Sequence, residues 1–299
     1  MNLEPDPKEA STKGPIFIVG CQRSGTSVLW NALRSHPNLL LPENCRETLR
    51  GLDPKELWFV REWMLGRQAI PQKEHQGSPL DRLFQSRLAR LIDEFSREHF
   101  AGPGGRWVSG HPADGLYVRE ILENFPDSRV LFLDRHPQEV VWSSLHTRWS
   151  KLDTRRQFLD AAKKAARHWR QFAVLSVDVL EGRLGPRVLV VRHERILSEP
   201  GSVARECLDH VDEPFDPAVE KALGFVFNSS FHENSADPQE IVRARDKIAA
   251  DAEICDLVVR ETFELMEKLG YQDLRADKDA SAAPGMLGGL RRYFRKARQ

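Results

Sequence analysis

The chain has 299 residues, of which 40% are apolar, and its 44 acidic and 44 basic side chains leave no formal net charge. This length and composition allow one large domain or two small ones with a sizeable buried core. A chain without net charge has no overall field that attracts nucleic acid, so nucleic acid is not an expected partner and any anion site must be local.

The predicted elements begin after residues 1–14, a polar segment that we expect to be disordered. A short apolar run at 15–20 predicts a buried strand. Apolar residues at helical spacing then predict a helix that ends at His36 and Pro37. Another helix is predicted to begin at Ser78, which precedes a proline.

The alternation of strands and helices continues to the end of the chain. The sequence predicts a helix at 113–125, a strand at 129–134, a helix from Pro137, a long helix at 156–181, a strand at 187–191 and a C-terminal helix from Ile254 that ends at Gly270. Strands joined through helices pair in parallel. The predicted fold class is therefore α/β, a P-loop-like three-layer sandwich over residues 15–275, with a central parallel sheet and helices on both faces.

The cysteines and the chain ends indicate the setting of the protein. Four cysteines lie far apart without metal-ligand spacing, which argues against a disulfide framework or zinc site and favours a reducing, cytoplasmic location. No signal peptide or transmembrane segment is expected, because long apolar runs are missing from the sequence. The basic tail at 276–299 fits either a solvated terminus or peripheral contact with an anionic membrane.

The first candidate anion site is the segment GCQRSGTS at residues 20–27, between the first predicted strand and helix. Gly20 and Gly25 allow backbone N–H groups to point into one concavity at the positive end of the helix dipole. Arg23 adds a planar fork of donors. Hydroxyl groups come from Ser24, Thr26 and Ser27. The segment suits phosphate or sulfate oxygens, although a turn with glycines also occurs without a ligand.

The same segment matches the P-loop pattern G-x-x-x-x-G-K-[ST] except at its lysine, where Thr26 stands. That lysine reaches the β- and γ-phosphates of a nucleotide, so its absence weakens a kinase interpretation. A P-loop kinase remains an alternative because Asp134, at the end of a predicted strand, resembles the aspartate of a Walker B motif.

The second candidate anion site follows the strand at 129–134. Arg135 lies just past the end of this strand, and Ser143 lies eight residues later in the helix that begins near Pro137. Ligands of α/β sheets bind at the carboxyl ends of the strands. Two anion sites at neighbouring strand ends fit a nucleotide that carries phosphate on both its 5′ and 3′ sides.

These two motifs resemble those of the sulfotransferases that use 3′-phosphoadenosine 5′-phosphosulfate (PAPS), especially the branch whose first motif reads R-S-G-T-[ST]. In that family the R-S-G-T loop holds the 5′-phosphosulfate, and an R-x(7)-S pair holds the 3′-phosphate. Residues 23–27 match the first motif, and Arg135 with Ser143 matches the second. Further similar segments are FPDSRVLFLDRHP at 125–137, VVRHERILSEP at 190–200 and LMEKLGY at 265–271.

The resemblance implies in-line transfer of a sulfuryl group from PAPS to a hydroxyl or amine of a small-molecule, lipid or carbohydrate acceptor. Adenosine 3′,5′-bisphosphate is the product, and the scheme requires no metal. Arg23 would stabilise the leaving phosphate. His193 stands where the family has a tyrosine near the adenine, and Gly110 stands where it often has a lysine.

The resemblance leaves three candidates for the residue that accepts the proton of the acceptor. Related enzymes use a glutamate beyond the R-S-G-T motif, which points to Glu47, preferred because it follows a basic residue, or to Glu43. His111 is the third candidate, because an imidazole titrates near neutrality. With the lysine missing and the base open, a catalytically silent nucleotide-binding protein is also an alternative.

Overall fold

The structure is a computed structural model that describes residues 13–40, 79–146, 152–224 and 250–275. The basic tail predicted at 276–299 and the first twelve residues of the predicted N-terminal segment lie outside these ranges. Within the described residues, no helix is both long enough and apolar enough to cross a bilayer.

Parallel strands form the central sheet: β1 (Ile16–Gly20), β2 (Val108–Ser109), β3 (Arg129–Asp134) and β4 (Val188–Arg192). They lie in the order β2-β1-β3-β4. Gly20 pairs with Leu133, and Asp134 pairs with Arg192. The carboxyl ends of β1, β3 and β4 therefore meet at one edge of the sheet, where the polar motifs of the sequence follow.

The described residues also form α-helices: α1 (Thr26–Leu33), α2 (Pro79–Phe100), α3 (Val118–Asn124), α4 (Pro137–His146), α5 (Arg155–Leu180), α6 (His193–Ser198), α7 (Pro200–His210), α8 (Pro217–Leu223) and α9 (Ala252–Lys268). Short 3₁₀ helices lie at Pro37–Leu39 and Pro112–Tyr117. A capping box begins α5, where Thr154 and Gln157 bond each other's backbone N–H groups.

Helices cover both faces of the sheet because successive side chains of a strand point to opposite sides. Phe17 and Val19 of β1 belong to a core shared with α2, α3, α5 and α9. Ile16 and Ile18 belong to the opposite core, shared with α1, α7 and α8. This arrangement confirms the predicted three-layer α/β class.

Three regions differ from the predicted elements. The helix predicted at 113–125 is divided into a 3₁₀ helix and α3, since the chain passes closely over the end of β1. A Cβ at Gly115 would lie 3.1 Å from the backbone nitrogen of Gly20. The sequence pattern also does not predict β2 or the helices between 193 and 223.

Candidate anion-binding site

The first predicted anion loop is a tight turn between β1 and α1. Gly25 is the N-cap of α1 with a φ of 101°, and Arg23 also has a positive φ, 76°. The hydroxyl of Ser24 donates to the Cys21 carbonyl at 2.6 Å. Ser24 is fully buried, so its hydroxyl proton stabilises the turn instead of pointing at an anion. Thr26 begins α1, and its first turn supplies N–H groups without intrahelical partners.

His193, the first residue of α6, packs against this loop. A Cβ added to Gly25 would lie 2.5 Å from Cδ2 of the His193 ring. The imidazole is 8% exposed. The structure therefore brings the residue that follows β4 against the turn that follows β1, because both strands end at the same edge.

Arg135 lies one residue past β3 and is held on several sides. Its Nε and Nη2 groups donate to Oε2 of Glu139 at 3.0 and 2.9 Å, and its Nη1 donates to the Arg23 carbonyl at 2.9 Å. Nε1 of Trp169 donates to the Arg135 carbonyl at 2.8 Å. Both the backbone and the guanidinium of Arg135 thus have defined positions.

The two predicted anion motifs meet directly. Nε of Arg23 donates to the hydroxyl of Ser143 at 2.9 Å, so the arginine of the first motif contacts the serine of the second. Burial first, and the charge of Arg135 second, lower the pKa of Arg23. The positive charges of Arg23 and Arg135 repel each other, and a bound anion would relieve that repulsion.

Two carboxyl groups beside Arg135 are not among the predicted site residues. Glu139 is 6% exposed and pairs with Arg135. Oε1 of Glu194 accepts the backbone N–H of His136 at 2.8 Å. Burial first, and the charge of Glu139 second, raise the pKa of Glu194 to about 7. Glu139 lies in the first turn of α4, four residues after Arg135, and this spacing is the sequence signal for the pair.

His111 is the N-cap residue of the 3₁₀ helix at Pro112–Tyr117. Its Nδ1 lies 3.1 Å from Oδ1 of Asp114, which is fully buried. A carboxylate bonded to one ring nitrogen orients the imidazole and favours the acceptor tautomer at the other. Glu43 and Glu47, the other two candidates for the base, lie outside the described residues.

Residue 110 is a glycine because the side chain of Trp30 lies against it. A Cβ at Gly110 would lie 2.7 Å from Cγ of Trp30. The indole is itself held by a hydrogen bond from its Nε1 to the Val108 carbonyl at 3.3 Å. Any side chain at residue 110 would displace the buried Trp30, so the family's lysine has no room here.

Asp134, the residue on which the kinase alternative rests, is bonded to Tyr271. The tyrosine hydroxyl donates to Oδ2 of Asp134 at 2.9 Å. Burial, opposed by this hydrogen bond, raises the pKa of Asp134 to about 6. Across the ranges that the structure describes, no group of three or more His, Cys, Asp or Glu side chains is arranged to hold a metal ion.

Comparisons with known proteins agree with the resemblance to sulfotransferases. A family model described as "Sulfotransferase family" matches residues 15–217. The protein-tyrosine sulfotransferase of Drosophila melanogaster is 23% identical over 205 residues, which cover 68% of this chain and 39% of that protein. Protein-tyrosine sulfotransferase A of Caenorhabditis elegans is 25% identical over 231 residues, 74% of this chain and 57% of that protein. The chain thus spans less than two thirds of these relatives.

A solved structure with a similar fold is the sulfotransferase domain of the olefin synthase from Synechococcus PCC 7002. It superposes with a TM-score of 0.50 and 19% sequence identity, covering 89% of this chain and 98% of that domain. At this identity the similarity concerns the fold alone.

Proposed function

The chain belongs to the sulfotransferase family, and from this we propose that it moves a sulfuryl group from PAPS to a hydroxyl or amine of a small-molecule, lipid or carbohydrate acceptor. The observation that carries the proposal is the 2.9 Å contact between Arg23 and Ser143, which joins the two anion motifs in one cluster. A nucleotide with phosphate on both sides of its ribose needs two such groups of donors close together.

The residues present fit the donor. The first turn of α1, with Arg23, Gly25, Thr26 and Ser27, would hold the 5′-phosphosulfate, and Ser24 would keep this loop in shape. Arg135 and Ser143 would hold the 3′-phosphate. The ring of His193 packs on Gly25 and would stack on the adenine. When bound, PAPS supplies the activated sulfuryl group and the leaving phosphate.

This chain's own residues would position the donor, stabilise charge and remove a proton. Arg23 would neutralise the charge that develops on the leaving phosphate. Among the described candidates for the base, His111 has the arrangement that a proton acceptor needs, since Asp114 holds its Nδ1. In this proposal Glu47 and Glu43 remain the alternative bases.

The proposal places the protein in the reducing cytoplasm, the location predicted from the cysteine spacing. Buried thiols support it: Cys21 and Cys207 lie in the core, and burial raises the pKa of Cys207 to about 12. Such a thiol is not a reactive nucleophile. The kinase alternative loses its support, because the family is that of sulfotransferases and Asp134 is bonded to Tyr271.

Titration calorimetry with adenosine 3′,5′-bisphosphate, AMP and ATP tests the proposal. We expect the bisphosphate to bind far more tightly than the other two. Arg135→Ala should weaken bisphosphate binding by about tenfold to a hundredfold and leave AMP binding nearly unchanged, because it removes charge-assisted hydrogen bonds to the 3′-phosphate. Equal affinity of the wild-type protein for AMP and the bisphosphate would contradict the proposal.

The matched control is Arg129→Ala. Arg129 begins the same strand at its opposite end, where it pairs with Asp212 at 2.7 Å. Its removal should leave the preference for the 3′-phosphate intact. Arg23→Ala should reduce turnover, measured with labelled PAPS and a panel of acceptors, more than it reduces bisphosphate binding; the reverse pattern would contradict the role given to Arg23.

A further inference from the structure

The segment at residues 271–275, here called the C-terminal clamp, follows α9 and lies beyond the range that the family model matches. It contacts the residues on both sides of Arg135. The Tyr271 hydroxyl donates to Oδ2 of Asp134 at 2.9 Å, and Nε2 of His136 is hydrogen-bonded to the carbonyl oxygen of Gln272 at 2.7 Å. The arginine of the second anion motif therefore lies between two residues that are tied to the clamp.

Gln138, in the first turn of α4, makes two further bonds to the clamp. Its Nε2 donates to Oδ1 of Asp273 at 2.9 Å, and its Oε1 accepts the backbone N–H of Leu274 at 2.9 Å. Gln138 is 6% exposed. A buried amide that pairs on both its donor and its acceptor side fixes the distance between the two segments.

The clamp is itself anchored to α9. Arg275 pairs with Asp273 at 2.6 Å and with Asp256 of α9 at 2.7 Å. At the other end, the Tyr271 side chain is 8% exposed, and its ring lies within 5.1 Å of the Arg192 guanidinium carbon. The clamp is therefore held at both ends and can restrain the segment it contacts.

The contacts of the clamp restrain the backbone on both sides of Arg135. Asp134 ends β3, His136 lies between β3 and α4, and Gln138 lies in the first turn of α4. Each of them is bonded to the clamp. The Arg135 carbonyl is bonded to Trp169 from another side. A guanidinium that donates two parallel hydrogen bonds to a phosphate loses affinity when the backbone that carries it shifts by a fraction of an ångström.

We infer that the C-terminal clamp positions Arg135 and thereby sets the preference for a nucleotide that carries a 3′-phosphate. The inference rests on the proposed function, because it takes Arg135 as the ligand of that phosphate. It assigns a specificity role to a segment outside the anion motifs. The clamp residues touch the Arg135 turn and act on the nucleotide only through it.

Gln138→Met tests the inference, because methionine keeps the length of the side chain and removes both hydrogen bonds. We expect the Kd of adenosine 3′,5′-bisphosphate to rise about fivefold to tenfold and the Kd of AMP to stay the same. The matched control is Gln157→Met. Gln157 also bonds backbone N–H groups, those of Asp153 and Thr154 at 2.7 and 3.1 Å, but it does so at the start of α5. The control should leave the ratio of the two Kd values unchanged.

A second pair of variants covers the case in which Gln138→Met does not fold. Asp273→Ala removes the acceptor of the Gln138 amide, whereas Asp273→Asn keeps a carbonyl oxygen at that position. We expect the alanine variant to lose preference for the bisphosphate and the asparagine variant to retain most of it. A merely structural clamp would change the melting temperature in both without changing the ratio of Kd values.

The outcomes separate the two proposals. If the wild-type protein shows no preference for the bisphosphate over AMP, the proposed function fails. If the wild-type protein shows the preference and Gln138→Met and Asp273→Ala both retain it in full, the clamp inference is wrong and the proposed function stands.

Discussion

Glu194 makes the stability of this fold depend on pH near neutrality. Burial and the neighbouring Glu139 raise its pKa from 4.5 to about 7. Arg135 opposes this rise, and Tyr271 lies close enough for its own pKa to be raised by the Glu194 charge. Because the folded state binds the Glu194 proton more tightly than the unfolded state, this contribution to stability is complete below about pH 4.5. It is lost as the pH rises through about 7.

Glu194→Gln should remove this pH dependence. The amide oxygen can still accept the His136 N–H, but the side chain carries no charge at any pH. We expect the free energy of unfolding of the variant, relative to the wild type, to improve by roughly 1–3 kcal/mol between about pH 5 and about pH 8. Urea unfolding of both proteins at the two pH values measures this difference in the free energy of unfolding. A difference between the two proteins that does not change with pH would contradict the account of Glu194.

The turn from β1 to α1 depends on a close approach that only glycine allows. Gly25 has a positive φ, and its α-carbon faces the His193 ring, where a Cβ would lie 2.5 Å from Cδ2. Gly182 is a suitable comparison, because it also has a positive φ, 75°, but has nothing within 4 Å of its position for a Cβ. An alanine at either position would carry the cost of a positive φ. Only at Gly25 would its Cβ also collide with the His193 ring.

Gly25→Ala should therefore destabilise the protein by about 1–3 kcal/mol more than Gly182→Ala, which carries mainly the cost of a left-handed alanine. It should also weaken binding of adenosine 3′,5′-bisphosphate, because the loop and His193 cannot both keep their places. Thermal unfolding and calorimetry of both variants measure these effects. Similar losses in the two variants would show that the contact with His193 does not restrain the loop.

The sequence predicts the elements around the site better than those elsewhere, for physical reasons. β1 and β3 are buried apolar runs, so local pattern suffices for them. The helical repeat of apolar residues also predicts α1, although α1 ends at Leu33, before the predicted end at His36 and Pro37. β2 has only two residues, Val108 and Ser109, and becomes a strand through pairing with β1. The short helices between 193 and 223 lack a long apolar stripe, and packing in the core on the α1 side of the sheet determines them.

The sequence predicts the motif residues of the candidate site but not the contacts between them. The motif residues Arg23, Arg135 and Ser143 follow from the sequence, because loops after parallel strands meet at one edge. The bond from Arg135 to the Arg23 carbonyl and the bond between Gln138 and the C-terminal clamp depend on tertiary packing. No pattern within one segment of sequence predicts such contacts.

Binding of the nucleotide should stabilise the whole molecule, because the proposed site joins the loops after β1, β3 and β4. A ligand that binds only the folded state at a hundred times its Kd adds about 2.7 kcal/mol to the free energy of unfolding. For a chain of this size, about 2–4 °C per kcal/mol corresponds to a rise in melting temperature of roughly 5–10 °C.

Thermal shift with one fixed concentration of each nucleotide measures this effect. We expect a large rise with adenosine 3′,5′-bisphosphate, a small one with AMP, and a difference between them that disappears in Arg135→Ala but persists in Arg129→Ala. Added salt should reduce the rise only modestly, because salt screens the attraction between phosphates and partly buried arginines less than it screens exposed charges. Since Arg135 and Arg23 contact each other, removal of either should reduce the rise with the bisphosphate. A rise that is independent of both arginines would mean that the nucleotide binds elsewhere on the molecule.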